Sequence, residues 1–215
     1  MKPTLLALFA ASSITVHADL VITEIMADSL HPTLAAPLLD ADDDWWELTN
    51  TGSAAVNLTG YKWDDTPTPA TPSVSLFPPG IILDPGESII ILGEASSNLA
   101  TWKAAWGLGS SVQVIDRTQF ENMGGEPFSG LSLNGDEVNL YDPADNLVTS
   151  VNFTSVTPGR SLAYLRDGTP IVGANSEVGK HGAYNSNIST PDTASPGDAG
   201  IHFSSTPAQY AINQY

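Results

Sequence analysis

The densest run of ligand-type side chains is Asp40-Ala41-Asp42-Asp43-Asp44, with Glu47 three residues further on. Calcium takes about six to eight oxygen ligands, and alternating carboxylates in a loop can converge where a rigid strand fixes the last of them. Asp40, Asp42 and Asp44, with Glu47 as an additional ligand from the strand that follows, are therefore a candidate calcium site. The spacing is not that of an EF-hand, because no Gly follows the third acid and no Glu closes the loop at its last position. A solvated acidic loop is the competing reading.

A second arrangement of acids is the pair Glu24 and Glu47. Glycoside hydrolysis needs two carboxyl groups about 5–10 Å apart in a cleft that also holds sugar. The competing reading places both glutamates on the solvent face of a sheet. Nucleophilic catalysis would need Ser, Thr or Cys beside a base such as His. Cysteine is absent, and His31, His181 and His202 all fall in loops or tail. Neither a Gly-x-Ser-x-Gly elbow nor a His-Glu-x-x-His helix motif occurs. The residues thus supply no catalytic constellation and no cofactor-binding motif. The sequons at Asn57, Asn152 and Asn187 are chance matches in a chain rich in Asn, Ser and Thr.

Seven Lys and Arg oppose 24 Asp and Glu, for a formal charge of −17. Such a field repels phosphate backbones, so direct nucleic acid binding is not expected. Residues 1–18 read as a secretory signal: Lys2 at the start, an apolar stretch from Leu5 to Val16, and Ala18 before Asp19. The apolar stretch is shorter than the roughly 20 residues that span a bilayer. The mature chain is therefore expected to carry no membrane span and to be secreted, periplasmic or held at the cell surface.

The elements that would position these residues are short strands. Leu20 to Met26 reads as a buried first strand, and Ala27 to Asp43 as a long loop. In the next strand Trp46 and Leu48 share one face while Trp45 and Glu47 share the other. Val74 to Leu92 holds two or three short strands around Pro78-Pro79-Gly80 and Asp84-Pro85-Gly86. One helix, capped near Ser96 or Ser97, carries Leu99, Trp102 and Trp106 and ends at Gly107 as a lid over one end of the fold. Gly109 to Ser129 reads as a connection with a short strand near Val112 to Ile115. Leu131 and Leu133, Asn134-Gly135, then Val138 and Leu140 spell a type I′ hairpin. Leu147 to Phe153 and Ser161 to Leu165 supply the last strands. No βαβ alternation is visible, and residues 169–215, rich in Gly, Ser and Pro, should hold little regular structure. Trp46, Leu48, Ile90 and Leu140 are placed between two sheets.

Four stretches appear in a fixed order: Asp44-Trp45-Trp46-Glu47-Leu48-Thr49-Asn50, Val56 to Asp64, Phe77 to Ser88 with the Ile/Leu run after it, and Leu131 to Leu140. Together they resemble the lamin-tail domain, bacterial secreted type. The Ser195-Pro196-Gly197 ending also resembles the close of many bacterial members. The resemblance covers roughly Leu20 to Gly168 and implies an all-β, immunoglobulin-like β-sandwich with one short helix and long loops. The chain then divides into a signal peptide at 1–18, the sandwich at 19–168 and an extension at 169–215. The implied role is a non-catalytic module that binds an extracellular protein or polysaccharide. The alternative is a secreted hydrolase, or an accessory domain of one, using carboxylates or a bound divalent metal, because lamin-tail domains also occur beside hydrolytic domains.

Overall fold

The computed structural model describes residues 19–30, 44–66, 75–165 and 170–197. In chain order these form β1 (Leu20–Met26), β2 (Trp45–Asn50), β3 (Val56–Asn57), β4 (Lys62–Asp64), β5 (Ser75–Leu76), β6 (Ile82–Leu83) and β7 (Ser88–Leu92). Then come α1 (Leu99–Trp106), β8 (Gln113–Asp116), α2 (Arg117–Glu121), β9 (Asp136–Tyr141), β10 (Leu147–Phe153), β11 (Leu162–Tyr164), β12 (Pro170–Asn175), β13 (Tyr184–Asn185) and β14 (Thr193–Ala194). One sheet has the order β12-β11-β1-β2-β7-β8 and the other β10-β9-β4-β5. This is the expected all-β, immunoglobulin-like sandwich.

The first sheet is buried on both faces, as its near-continuous apolar strands require. On the inner face Ile22, Ile25, Trp46, Leu48, Ile89 and Ile91 meet Trp63, Val138 and Leu140 of the second sheet. Edge-to-face ring contacts run through this layer, Trp46 to Trp63 at 5.4 Å and Trp63 to Phe128 at 4.9 Å. On the outer face Met26, Trp45, Ile90 and Leu92 lie under Trp102 and Trp106 of α1, with Ala194 beside them. Ile90 therefore belongs to the outer layer and not between the sheets, because alternation along β7 sends it to the face opposite Ile89 and Ile91.

Helix α1 covers a face and not an end of the sandwich. Strands β7 and β8 are parallel neighbours, and a parallel pair needs a crossover that must lie over one side of the sheet. The β7–α1–β8 unit is thus a βαβ connection that the strand pattern did not announce. Gly107 ends α1 at φ 66° as expected, whereas its N-terminal neighbour is Asn98 with no side-chain cap. A second short helix, α2, corrects the expectation of one. Asp116 and Gln119 start it with a reciprocal capping box, a motif present in the sequence.

Two further expectations are corrected. Asn134-Gly135 makes a turn, closed by the Gly135 N–H to the Ser132 carbonyl at 3.1 Å, but Leu131 to Leu133 is not a strand and no hairpin forms there. A Cβ at Gly135 would stand 3.0 Å from the Phe153 carbonyl oxygen, so the glycine answers to close approach of β10. The tight hairpin is β9–β10 instead, turned by Asp142 to Asn146 with Asp145 at φ 67°. Beyond Thr169, where little regular structure was expected, β12 joins the first sheet through β11, and β13 pairs with β14.

Leu48 is wholly buried in the inner layer, while Val178 is exposed. Leu48→Ala should lower unfolding free energy by about 2–5 kcal/mol. Val178→Ala should change it by no more than about 0.5 kcal/mol. Urea midpoints of the two variants and the parent check this, and equal midpoints would contradict the packing.

Candidate functional site

Strand pairing and one bulge bring both glutamates of the sequence pair to one place. Strands β1 and β2 are antiparallel with Glu24 opposite Glu47, and the register shifts between Ile22 and Glu24. That bulge at Thr23 turns Glu24 to the outer face with Thr23, whereas strict alternation from Ile22 would send Glu24 inward. Both carboxyls are fully buried, so neither lies on a solvent face.

What buries them is the chain's own Ser195-Pro196-Gly197. The Ser195 N–H donates to Glu24 Oε1 at 2.9 Å and its hydroxyl to Oε2 at 3.0 Å. The Ser161 hydroxyl also donates to Glu24. The Gly197 N–H donates to Glu47 Oε2 at 2.7 Å, and the Thr23 hydroxyl to Oε1 at 2.6 Å. Since each hydroxyl has one proton, Thr49 must then donate to Thr23 at 2.9 Å and Ser88 to Thr49 at 2.7 Å, a relay across three strands. In every one of these bonds the carboxyl accepts.

The rest of this strap is anchored by Asp192. Its Oδ1 accepts from the Leu30 N–H and its Oδ2 from the Ser29 hydroxyl, each at 2.7 Å. Gly159 allows the close passage: at φ 71° it sits where a Cβ would be 2.7 Å from Leu30 Cδ1. The strap also reaches α1, with the Tyr184 hydroxyl on the Trp106 carbonyl at 2.9 Å and the Asn187 N–H on the Ala105 carbonyl at 2.7 Å. Two buried acids roofed by protein leave no cleft in which a sugar could meet them, which is what glycoside hydrolysis requires.

Of the calcium candidates, only Asp44 and Glu47 are among the described residues; Asp40 and Asp42 lie outside them. Asp44 is buried toward the inner side, where its Oδ2 accepts from the Leu131 N–H at 3.1 Å. Glu47 points to the opposite face, under Gly197. Three positions apart on an extended chain, the two cannot share an ion. Among the described residues no group of three or more His, Asp and Glu is placed to hold a metal. His31 and His202 also lie outside the described residues, and His181 occupies a turn closed by the Gly179 N–H on the Ala183 carbonyl.

Two features were not foreseen. At the end of β4, burial, a hydrogen bond to Asp64 that only the protonated acid can donate, and the charge of Asp136 push the Asp65 carboxyl up to about 7. At the side of the sandwich, a groove of about 180 Å³ runs between Asn152–Ser155 and Leu162–Tyr164. Exposed Leu147 and Val148 lie at the other end of β10. Only the alternation within Leu147 to Phe153 hinted at the groove; its other wall comes from a distant strand.

The sequence matches the family model of the Lamin Tail Domain over residues 14–155, more than half of the chain, and the protein belongs to that family. Strands β11 to β14, and with them the strap, lie past the matched residues. A search of curated proteins finds no match.

Removing the Glu24 acceptor strands the Ser161 hydroxyl and the Ser195 N–H and hydroxyl, and each stranded buried group costs about 1–3 kcal/mol. Glu24→Ala should therefore lower the urea midpoint by several tenths of molar or more and open the strap to protease between residues 185 and 197; an unchanged midpoint and an intact strap would contradict the clasp. Asp65 gives a pH signature. Its folded form holds the proton more tightly than the unfolded chain does, so stability falls as pH rises from about 4 through 7. Asp65→Asn removes that slope: its midpoint should exceed the parent's at pH 8 and converge with it near pH 4.

Proposed function

We propose that this lamin-tail domain is an exported, non-catalytic module that binds a protein or polysaccharide outside the cell or at its surface. The observation that carries the reading is the state of Glu24 and Glu47. The paired acids on which a hydrolase would most simply rest are buried and occupied with the chain's own Ser195 and Gly197. Family membership supports the same reading, since a lamin-tail domain is an immunoglobulin-like fold not typically used for catalysis. The apolar leader at 1–18 supports export, and among the described residues no helix is long and apolar enough to cross a membrane. The charge of −17 favours neutral or cationic partners over nucleic acid.

The protein with residues 1–18 removed is expected to be retained on immobilised cell-wall protein or exopolysaccharide fractions and to turn over no ester, phosphodiester or glycoside substrate. N-terminal sequencing of secreted material should begin at Asp19. Retention by neither fraction, or turnover abolished by one carboxylate substitution, overturns the reading. Calcium binding is a separate proposal, narrowed to Asp40, Asp42 and Asp44 because Glu47 turns away. Millimolar calcium should raise the melting temperature and Asp42→Asn should cancel the gain, by the linkage of binding to stability; identical melting curves with and without calcium dismiss it.

A further inference from the structure

The second sheet ends on β10, the seven residues Leu147-Val148-Thr149-Ser150-Val151-Asn152-Phe153, and among the described residues no strand pairs with its far side. Natural edge strands are blunted by charge, by proline, by a bulge or by brevity. This one has no charge and no proline, and its one register shift lies at its start, between Leu147 and Thr149, so that Thr149 to Phe153 runs regularly; the opposite edge, β5, is only two residues long.

Strand β10 packs against β1, and β1 is followed on its free side by β11 and then β12. The six-stranded sheet therefore extends two strands past β10. A strand added to β10 would stack over β11 as β10 stacks over β1. That is where the groove lies, with Phe153 on one wall and Leu162 and Tyr164 on the other. At about 180 Å³ it is smaller than the roughly 300–1,000 Å³ of a small-molecule site and suits an anchoring side chain.

Charge selects the occupant. Asp136 and Glu137 of β9 stand opposite Phe153 and Asn152, and Asp142 and Asp145 lie in the turn at the other end of β10. Lys62 is paired with Asp145 and offsets its charge, so Asp142 is the acid that carries the charge at that end. An uncharged strand flanked by acids at both ends complements an apolar segment flanked by Lys or Arg. A second copy of this chain would bring −17 against −17.

Resting on the interaction-module reading, we propose that β10 takes an extended segment of a partner polypeptide as a fifth strand of the sheet. Main-chain hydrogen bonds join it to β10, one of its apolar side chains fills the groove, and basic residues flank the apolar stretch. The probe is the synthetic peptide Lys-Val-Thr-Val-Thr-Val-Lys, titrated into the full mature chain at low salt while amide exchange is followed by NMR. Binding should slow exchange of β10 amides. Methylating alternate peptide nitrogens, or replacing the terminal lysines by glutamates, should weaken it at least tenfold. Asn152→Lys, which places a cation on the edge, should do the same, while Val178→Lys, at an exposed site outside the groove lining, controls for net charge and should not. Affinity indifferent to peptide methylation, no protection of β10, or no binding at millimolar peptide overturns the proposal. The Asn152→Lys protein separates this from the broader reading: if it is still retained by a wall or polysaccharide fraction that holds the parent, the module reading stands and the edge strand is not its site.

Discussion

Burial of the first sheet on both sides is the constraint from which the rest of this structure follows. A sheet with one wet face can leave Thr, Ser and Glu to water. Here the outer face is covered by α1 and by the strap, so each polar group on it must find a protein partner or carry a desolvation cost of about 1–3 kcal/mol. Glu24 opposite Glu47 is the hardest case, because like groups facing each other across two strands oppose pairing. The strap relieves it by presenting backbone amides two residues apart, Ser195 to one carboxyl and Gly197 to the other. Removing the strap would take the Ser195 and Gly197 donors from the two acids and Ala194 from beside Trp45.

The bulge at Thr23 is what makes the arrangement possible. It brings Glu24 onto the face that already carries Thr23 and Glu47, where apolar residues end and the strap begins, while Ile22 and Ile25 both stay inside. The same face thus divides into an apolar half under α1 and a polar half under residues 192–197. Tyr184 and Ala194 of the strap bridge the halves, Tyr184 meeting Trp106 edge-on at 5.7 Å. The clasp joins chain segments about 150 residues or more apart, which makes the strap an integral layer of the domain.

The strands with unbroken apolar patterns were legible in the sequence: Leu20 to Met26, the Trp46 and Leu48 face, Ile89 to Leu92 and Leu147 to Phe153 all form where local pattern placed them. What was not legible depended on tertiary pairing. An unpaired Thr23 leaves no mark in sequence alternation, and the strap that covers Glu24 comes from residues about 170 positions away, so neither its outer face nor its burial was legible. Asn134-Gly135 has the chemistry of a hairpin turn, but β9, which follows it, pairs with β4 and β10, and the turn passes Phe153 closely. The strap's Gly, Ser and Pro content looked like a tail because its stability comes from partners in β1 and β2, not from its own periodicity. Of the candidate site, the opposite orientations of Asp44 and Glu47 follow from strand parity once β2 is known to begin at Trp45. Of the groove beside β10 only one wall left a trace in the sequence, since the groove exists only where two distant strands meet.

Among the described residues the paired acids are spent on the domain's own closure, and no strand pairs with the far side of β10. The central physical claim is that Glu24 and Glu47 hold the strap as firmly as the sheet itself is held. Native-state hydrogen exchange of the Ser195 and Gly197 amides tests this most directly. Both should exchange only through global or near-global opening, with free energies matching those of the β1 and β2 amides. Exchange at the rate of an unstructured peptide, while β1 and β2 remain protected, would contradict the clasp and return residues 192–197 to a loosely attached tail.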